Sequence, residues 1–152
     1  GQMRVPFTID AHRSPAARYF ANRSFIAKQV ADIRDVGGCL EYRLDAGFPI
    51  IFQGGLFNGS GLTNQKNYWT KSVNFSAKAQ FLFPKGFNLT MSVQKVKPED
   101  DVIMMYDVGT YWQGEKWHIE CEYLRKYYEN DAFNSVTALN TFINYEILYL
   151  KL

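Results

Sequence analysis

His118-x-Glu120-x-Glu122 sets the first chemical question this chain raises. An imidazole and two carboxylates at alternate positions share one face of a strand, and they form a donor set that a metal could use. The same residues suit the polar wall of an internal passage equally well. Asp107 belongs with them if a hairpin sets it opposite Glu122, and like charges so placed repel. Such a cluster needs a cation. Arg43, Lys78, Lys116 and Lys126 share its face, and Lys78 comes first because its strand lies nearest in a meander. No nucleophile–base pair and no phosphate-binding glycine loop stands out. Gly59 and Gly61 suit a turn. Catalysis has no support, so no enzyme activity, metal or cofactor is expected.

The elements that must position these groups are strands. Residues 102–128, VIMMYDVGTYWQGEKWHIECEYLRKYY, read as two long strands with a two-residue turn at Gly114-Glu115. That turn pairs Gln113 with Lys116 and Trp112 with Trp117. One face then holds Met104, Tyr106, Val108, Thr110 and Trp112, and the other holds Asp107, His118, Glu120 and Glu122. RDVGGCLEYRL and FPIIFQGGLFN form a second hairpin about Asp45-Ala46-Gly47, with Leu44 opposite Phe48 and Gly47 in the left-handed region. Ile51 and Phe57 fall on its polar face as misfits. WTKSVNFSAKAQFLF and FNLTMSVQKV form a third about Pro84-Lys85-Gly86, with Phe83 opposite Phe87. A short strand over residues 2–8, weakened by Pro6, precedes them. A last strand over residues 136–150 follows. The connection over residues 9–33 breaks the alternation and carries a short helix, capped by Asn22 or Ser24, with Phe25, Ile26 and Val30 on one side.

Together these make an all-β, antiparallel up-and-down meander of about eight long strands, a porin-like β-barrel with a short helix in the first long loop. The 152 residues suit a single barrel domain, or a portion of a larger barrel. Tight turns gather at one end and longer connections at the other, the layout of an outer-membrane barrel. Aromatics collect beside the tight turns as an interfacial girdle would. The net charge of +2 and the lack of a basic run argue against nucleic acid. Cys39 and Cys121 fall on opposite faces and are expected to stay free thiols.

Alternation does not say which face points inward. A soluble eight-stranded calycin-like barrel would bury the apolar face around a small apolar ligand. The polar face here is rich in Ser, Thr, Asn and Gln, whereas a soluble exterior favours Lys and Glu. That contrast favours the membrane reading. On the polar face, Asp35, Glu41, Asp107, Glu120, Glu122 and Glu146 stand against Arg43, Lys78, Lys116 and Lys126, an acidic excess suited to cations.

The chain also resembles a known family. RVPF, ARYFANRSFIAKQVADIRDVGG, FQGGLFNGSGL, ECEYLRKYY and NTFINYEI look like the strand motifs of the phosphate-selective porin O and P family. The resemblance implies a bacterial outer-membrane location in a Gram-negative cell. It also implies passive diffusion of small polar solutes or ions, a bilayer or detergent around the barrel, and scope for a homo-oligomer. The expected pore-lining residues are Glu41, Arg43, Lys78, Asp107, His118, Glu120, Glu122 and Lys126. Arg13, Arg18, Arg23 and Lys28 in the first connection would form a constriction if that loop folds inward.

Overall fold

Eight antiparallel strands form one sheet in strict sequence order, β1-β2-β3-β4-β5-β6-β7-β8. They are β1 (Gln2–Arg4), β2 (Arg34–Asp45), β3 (Pro49–Phe57), β4 (Asn74–Leu82), β5 (Phe87–Val96), β6 (Ile103–Gln113), β7 (Trp117–Tyr128) and β8 (Val136–Tyr145). The structure is a computed structural model, and it describes residues 1–9, 24–26, 34–58, 73–97, 102–131 and 134–146. Among these, β1 pairs only with β2 and β8 only with β7, so the sheet is open where a closed barrel was expected. The first strand ends at Arg4, since Val5 turns at Pro6, where Phe7 N donates to Val5 O. Residues 25 and 26 are helical, and Ile26 is fully buried. Asn22, Val30, the 59–68 loop and residues 147–150 lie outside the described residues.

Alternation sorted the faces correctly, while two of the three registers differ from expectation by two residues. Around Pro84–Gly86 the expected pairing is the observed one: Phe83 N donates to Phe87 O and Leu82 faces Asn88. In the first hairpin Leu44 faces Ile50, because the reversal centres on Gly47, whose φ of 84° lets one residue turn the chain. In the β6–β7 hairpin Gln113 faces His118 and Gly114 N donates to Trp117 O, so the turn is Glu115-Lys116. Gly114 does not adopt a positive φ. It makes room instead, since a Cβ there would lie 2.9 Å from the Trp112 indole. A slip of two leaves every side chain on its own face. Trp112 and Trp117 therefore share the outer face, but they oppose Ile119 and Tyr145 and not each other.

The faces are disposed opposite to those of a soluble sheet. Apolar side chains of the outer face are exposed, Leu40 at 84% and Leu139 at 71%, while Glu120 and Glu122 on the inner face are at 0%. From Trp117 to Arg125 the outer positions of β7 are Trp117, Ile119, Cys121 and Tyr123. The neighbouring strands offer Phe87, Leu89, Met91 and Val93 on β5, and Tyr106, Val108, Thr110 and Trp112 on β6. None carries charge until Lys95 and Arg125. At about 3.3 Å per residue, this band is about 26 Å long along the strands.

Glycines of the turns permit a direct test. Gly86 has a φ of 80°, and a Cβ there would meet Gln113 O at 2.1 Å. Gly47 has a φ of 84° and open space around it. Gly47→Ala should cost about 1–2 kcal/mol for the left-handed backbone alone. Gly86→Ala should cost that and about 1–3 kcal/mol of steric overlap besides. Denaturant midpoints should rank wild type above Gly47→Ala, and Gly47→Ala above Gly86→Ala.

Candidate functional site

The inner face is built in three tiers. At the long-loop end Phe57, Val96, Ile103, Met105, Leu124 and Ala138 form an apolar cluster with Val5, Phe7 and Ile26. Phe57, a misfit in the alternation, fits here because Gly37 and Gly55 leave space for its ring. A Cβ at either would come within 2.8 Å of it. The middle tier holds Ser76, Lys78, Ser92, Asp107 and Glu122, all buried. The turn end holds Asn88, Thr90, Tyr111, His118 and Glu120.

One register row runs across five strands: Glu41 faces Gln53, Gln53 faces Lys78, Lys78 faces Ser92, and Ser92 faces Asp107. Glu41 accepts from Arg43 Nε and Gln53 Nε2, each at 2.8 Å, and this part of the row is open to solvent. Further along the row Lys78 is buried, and its ammonium donates to Thr8 O at 2.8 Å. Asp107 Oδ1 accepts from Ser92 Oγ at 3.3 Å. Lys78 shares this row with Asp107, across Ser92. The opposed pair of Asp107 and Glu122 is not formed. Asp107 faces Leu124 and Glu122 faces Gly109, a register that sets the two like charges diagonally apart.

The histidine–carboxylate ladder divides. His118 Nδ1 lies 2.6 Å from Gln113 Oε1 and Nε2 lies 3.1 Å from Glu120 Oε2. Its ring sits between Tyr111 and Phe142, each 5.5 Å away centroid to centroid. Glu122 turns the other way and accepts from Ile9 N at 2.6 Å. Among the described residues no three His, Cys, Asp or Glu side chains are grouped to hold a metal. Lys126 stands apart at the long-loop end, 5.2 Å over the Tyr128 ring. Arg13, Arg18, Arg23 and Lys28 lie outside the described residues.

Sequence reasoning missed the segment that covers this face. Val5, Pro6, Phe7, Thr8 and Ile9 are buried, running from the β1 edge under the sheet to β7. Ser76 Oγ donates to Pro6 O at 2.8 Å, and Lys78 Nζ donates to Thr8 O at 2.8 Å. Thr8 N donates to Ser92 Oγ at 3.2 Å. Ile9 seats against Gly109, where a Cβ would meet its Cδ1 at 2.6 Å. Thr8 has a φ of 58°, a left-handed backbone that costs a β-branched residue about 1–3 kcal/mol. The available signals were the Pro6 break and the apolar VPF run.

On the outer face the turn end carries linked aromatics. Phe83 lies 4.6 Å from Phe48 and 5.7 Å from Phe87, and Trp117 lies 4.5 Å from Tyr145. Trp112 Nε1 donates to Lys85 O at 3.1 Å. Cys39, on the inner face, and Cys121, on the outer, are both free thiols. Comparison of the chain with protein-family models, with characterised proteins and with solved structures finds no match.

Proposed function

We propose that this chain forms wall of a transmembrane β-barrel of porin type, in a bacterial outer membrane, that lets small polar solutes or ions diffuse passively. The single observation that carries this reading is the inversion of the faces. Buried carboxylates, amides and hydroxyls line the inner side while leucine, isoleucine, tyrosine and tryptophan are exposed on the outer side. In water an apolar face this extensive would drive association. Against lipid it is the stable arrangement, with aromatics at the rim. A soluble ligand-binding barrel would require the reverse disposition. A relationship to the phosphate-selective porins O and P remains part of the proposal and rests on the short strand motifs. The acidic inner row favours cations over phosphate, so anion selectivity does not come with it.

The open sheet needs further strands or a second copy to enclose a passage, because even a closed eight-stranded barrel has room only for side chains or one small ligand. The experiment is purification followed by reconstitution. The protein is expected to require detergent and, added to a planar bilayer, to give stepwise ohmic conductance with a cation preference. A stable, monomeric protein in detergent-free buffer would overturn the membrane reading. Correct insertion without conductance would leave a membrane-anchored β-sheet in place of a pore.

A further inference from the structure

The pairing of the strands does not require residues 5–9 to cross the inner face. β1 could end at Arg4 with its chain leaving along the β2 edge. Instead five buried residues lie over β4, β5, β6 and β7, on the path a solute following the polar tier would take. Four side chains from three strands hold them: Ser76 and Lys78 of β4, Ser92 of β5 and Glu122 of β7. All four bonds go to backbone atoms of the segment. Val5 and Phe7 anchor the start of the segment in the apolar cluster, whereas Thr8 and Ile9 beyond them are gripped by their peptide groups, with Ile9 seated over Gly109. Thr8 is held in the left-handed region, so the seated conformation carries strain that departure would relieve.

We infer that Thr8 and Ile9 are a removable plug, seated in this structure and hinged on the anchored Val5 and Phe7, whose withdrawal from Lys78, Ser92 and Glu122 opens the passage proposed above. The inference rests on the porin reading for the passage itself. Thr8 carries the strain and is held through its backbone, so this end of the segment opens at lower cost than the β6–β7 ladder beside it.

The lock is a cysteine pair, Ile9→Cys with Gly109→Cys, in a chain whose Cys39 and Cys121 are replaced by serine. The gap between Gly109 and the Ile9 side chain brings such a pair within disulfide reach. In a planar bilayer the oxidised protein should conduct about tenfold less than the same protein after dithiothreitol. Equal conductance in the two states would overturn the plug and leave the porin reading standing. Silence in both states would overturn the passage, and the plug with it. Hydrogen exchange of the unmodified chain in detergent needs no variant. The Thr8 and Ile9 amides should exchange at least about tenfold faster than the amides of β6 and β7. Exchange as slow as that of the strands would make the segment a permanent part of the core and refute its removal.

Discussion

Replacing Val108 by arginine is expected to cost about 2–4 kcal/mol of folding stability in phospholipid vesicles, where a water-facing position would lose almost nothing. Val108 stands on the outer face of β6 between Met91 of β5 and Tyr123 of β7, midway along the charge-free band. It is 45% exposed, so the substitution removes little packing and clashes with little. What changes is the medium an arginine must enter. At the midplane of a bilayer a charge on the outward face loses its hydration and has only snorkelling to recover it. The cost should fall with depth. Thr137→Arg on β8, beside Arg125 at the edge of the band, should cost about 0–1 kcal/mol in the same vesicles. Urea unfolding in vesicles measures both. If the two variants are equally stable, the outer face meets water and the proposed function fails.

That test depends on the faces, and these were legible in the sequence because period 2 is preserved by every hairpin slip of two residues. The β2–β3 and β6–β7 hairpins both slipped, and no outward residue turned inward. Register was harder because it depends on which residue of a turn takes the reversal. Gly47 and Gly114 look alike in a sequence. One supplies a positive φ and the other a gap for Trp112, and only packing separates these uses. Phe57 shows the same limit. Its misfit position becomes intelligible once Gly37 and Gly55, one strand apart and on the same strand, are seen to flank its ring.

The candidate site divides along similar lines. That Lys78, Asp107, His118, Glu120 and Glu122 share one face follows from alternation alone; that this face is the buried one does not. Pairings within it do not, because a two-residue slip moves Glu122 from Asp107 to Gly109. Glu41 and Arg43 share the inner face by alternation yet remain exposed, because β2 has no strand beyond it there and no described residue covers them. The crossing of residues 5–9 lies furthest from any local signal. It is a contact between positions 70 to 113 residues apart, made by backbone groups that carry no sequence signature.

Lys78 is where the buried group has most to lose. Lys78 is 4% exposed, its ammonium is bonded to Thr8 O, and it shares a register row with Asp107 in the middle of the inner face. Removing one partner of a buried charge cluster leaves the others uncompensated, at about 3–5 kcal/mol. Lys78→Met should therefore destabilise the protein by about that amount in detergent-based urea unfolding, although methionine fills nearly the same space. Asp107→Asn should restore part of the loss when combined with it, because it removes the carboxylate that Lys78 attracts. The double-mutant cycle should show a coupling of about 1–3 kcal/mol. Independent, additive losses would mean that Lys78 serves only the carbonyl of Thr8. The pore reading adds an orthogonal expectation for the carboxylates. Asp107→Asn with Glu122→Gln should reduce cation preference in bilayers, since a ring of fixed charge acts on permeant ions directly. Lost stability with unchanged selectivity would instead assign these groups to the seating of residues 5–9. The two outcomes thus distinguish carboxylates that face passing ions from carboxylates that hold the covering segment.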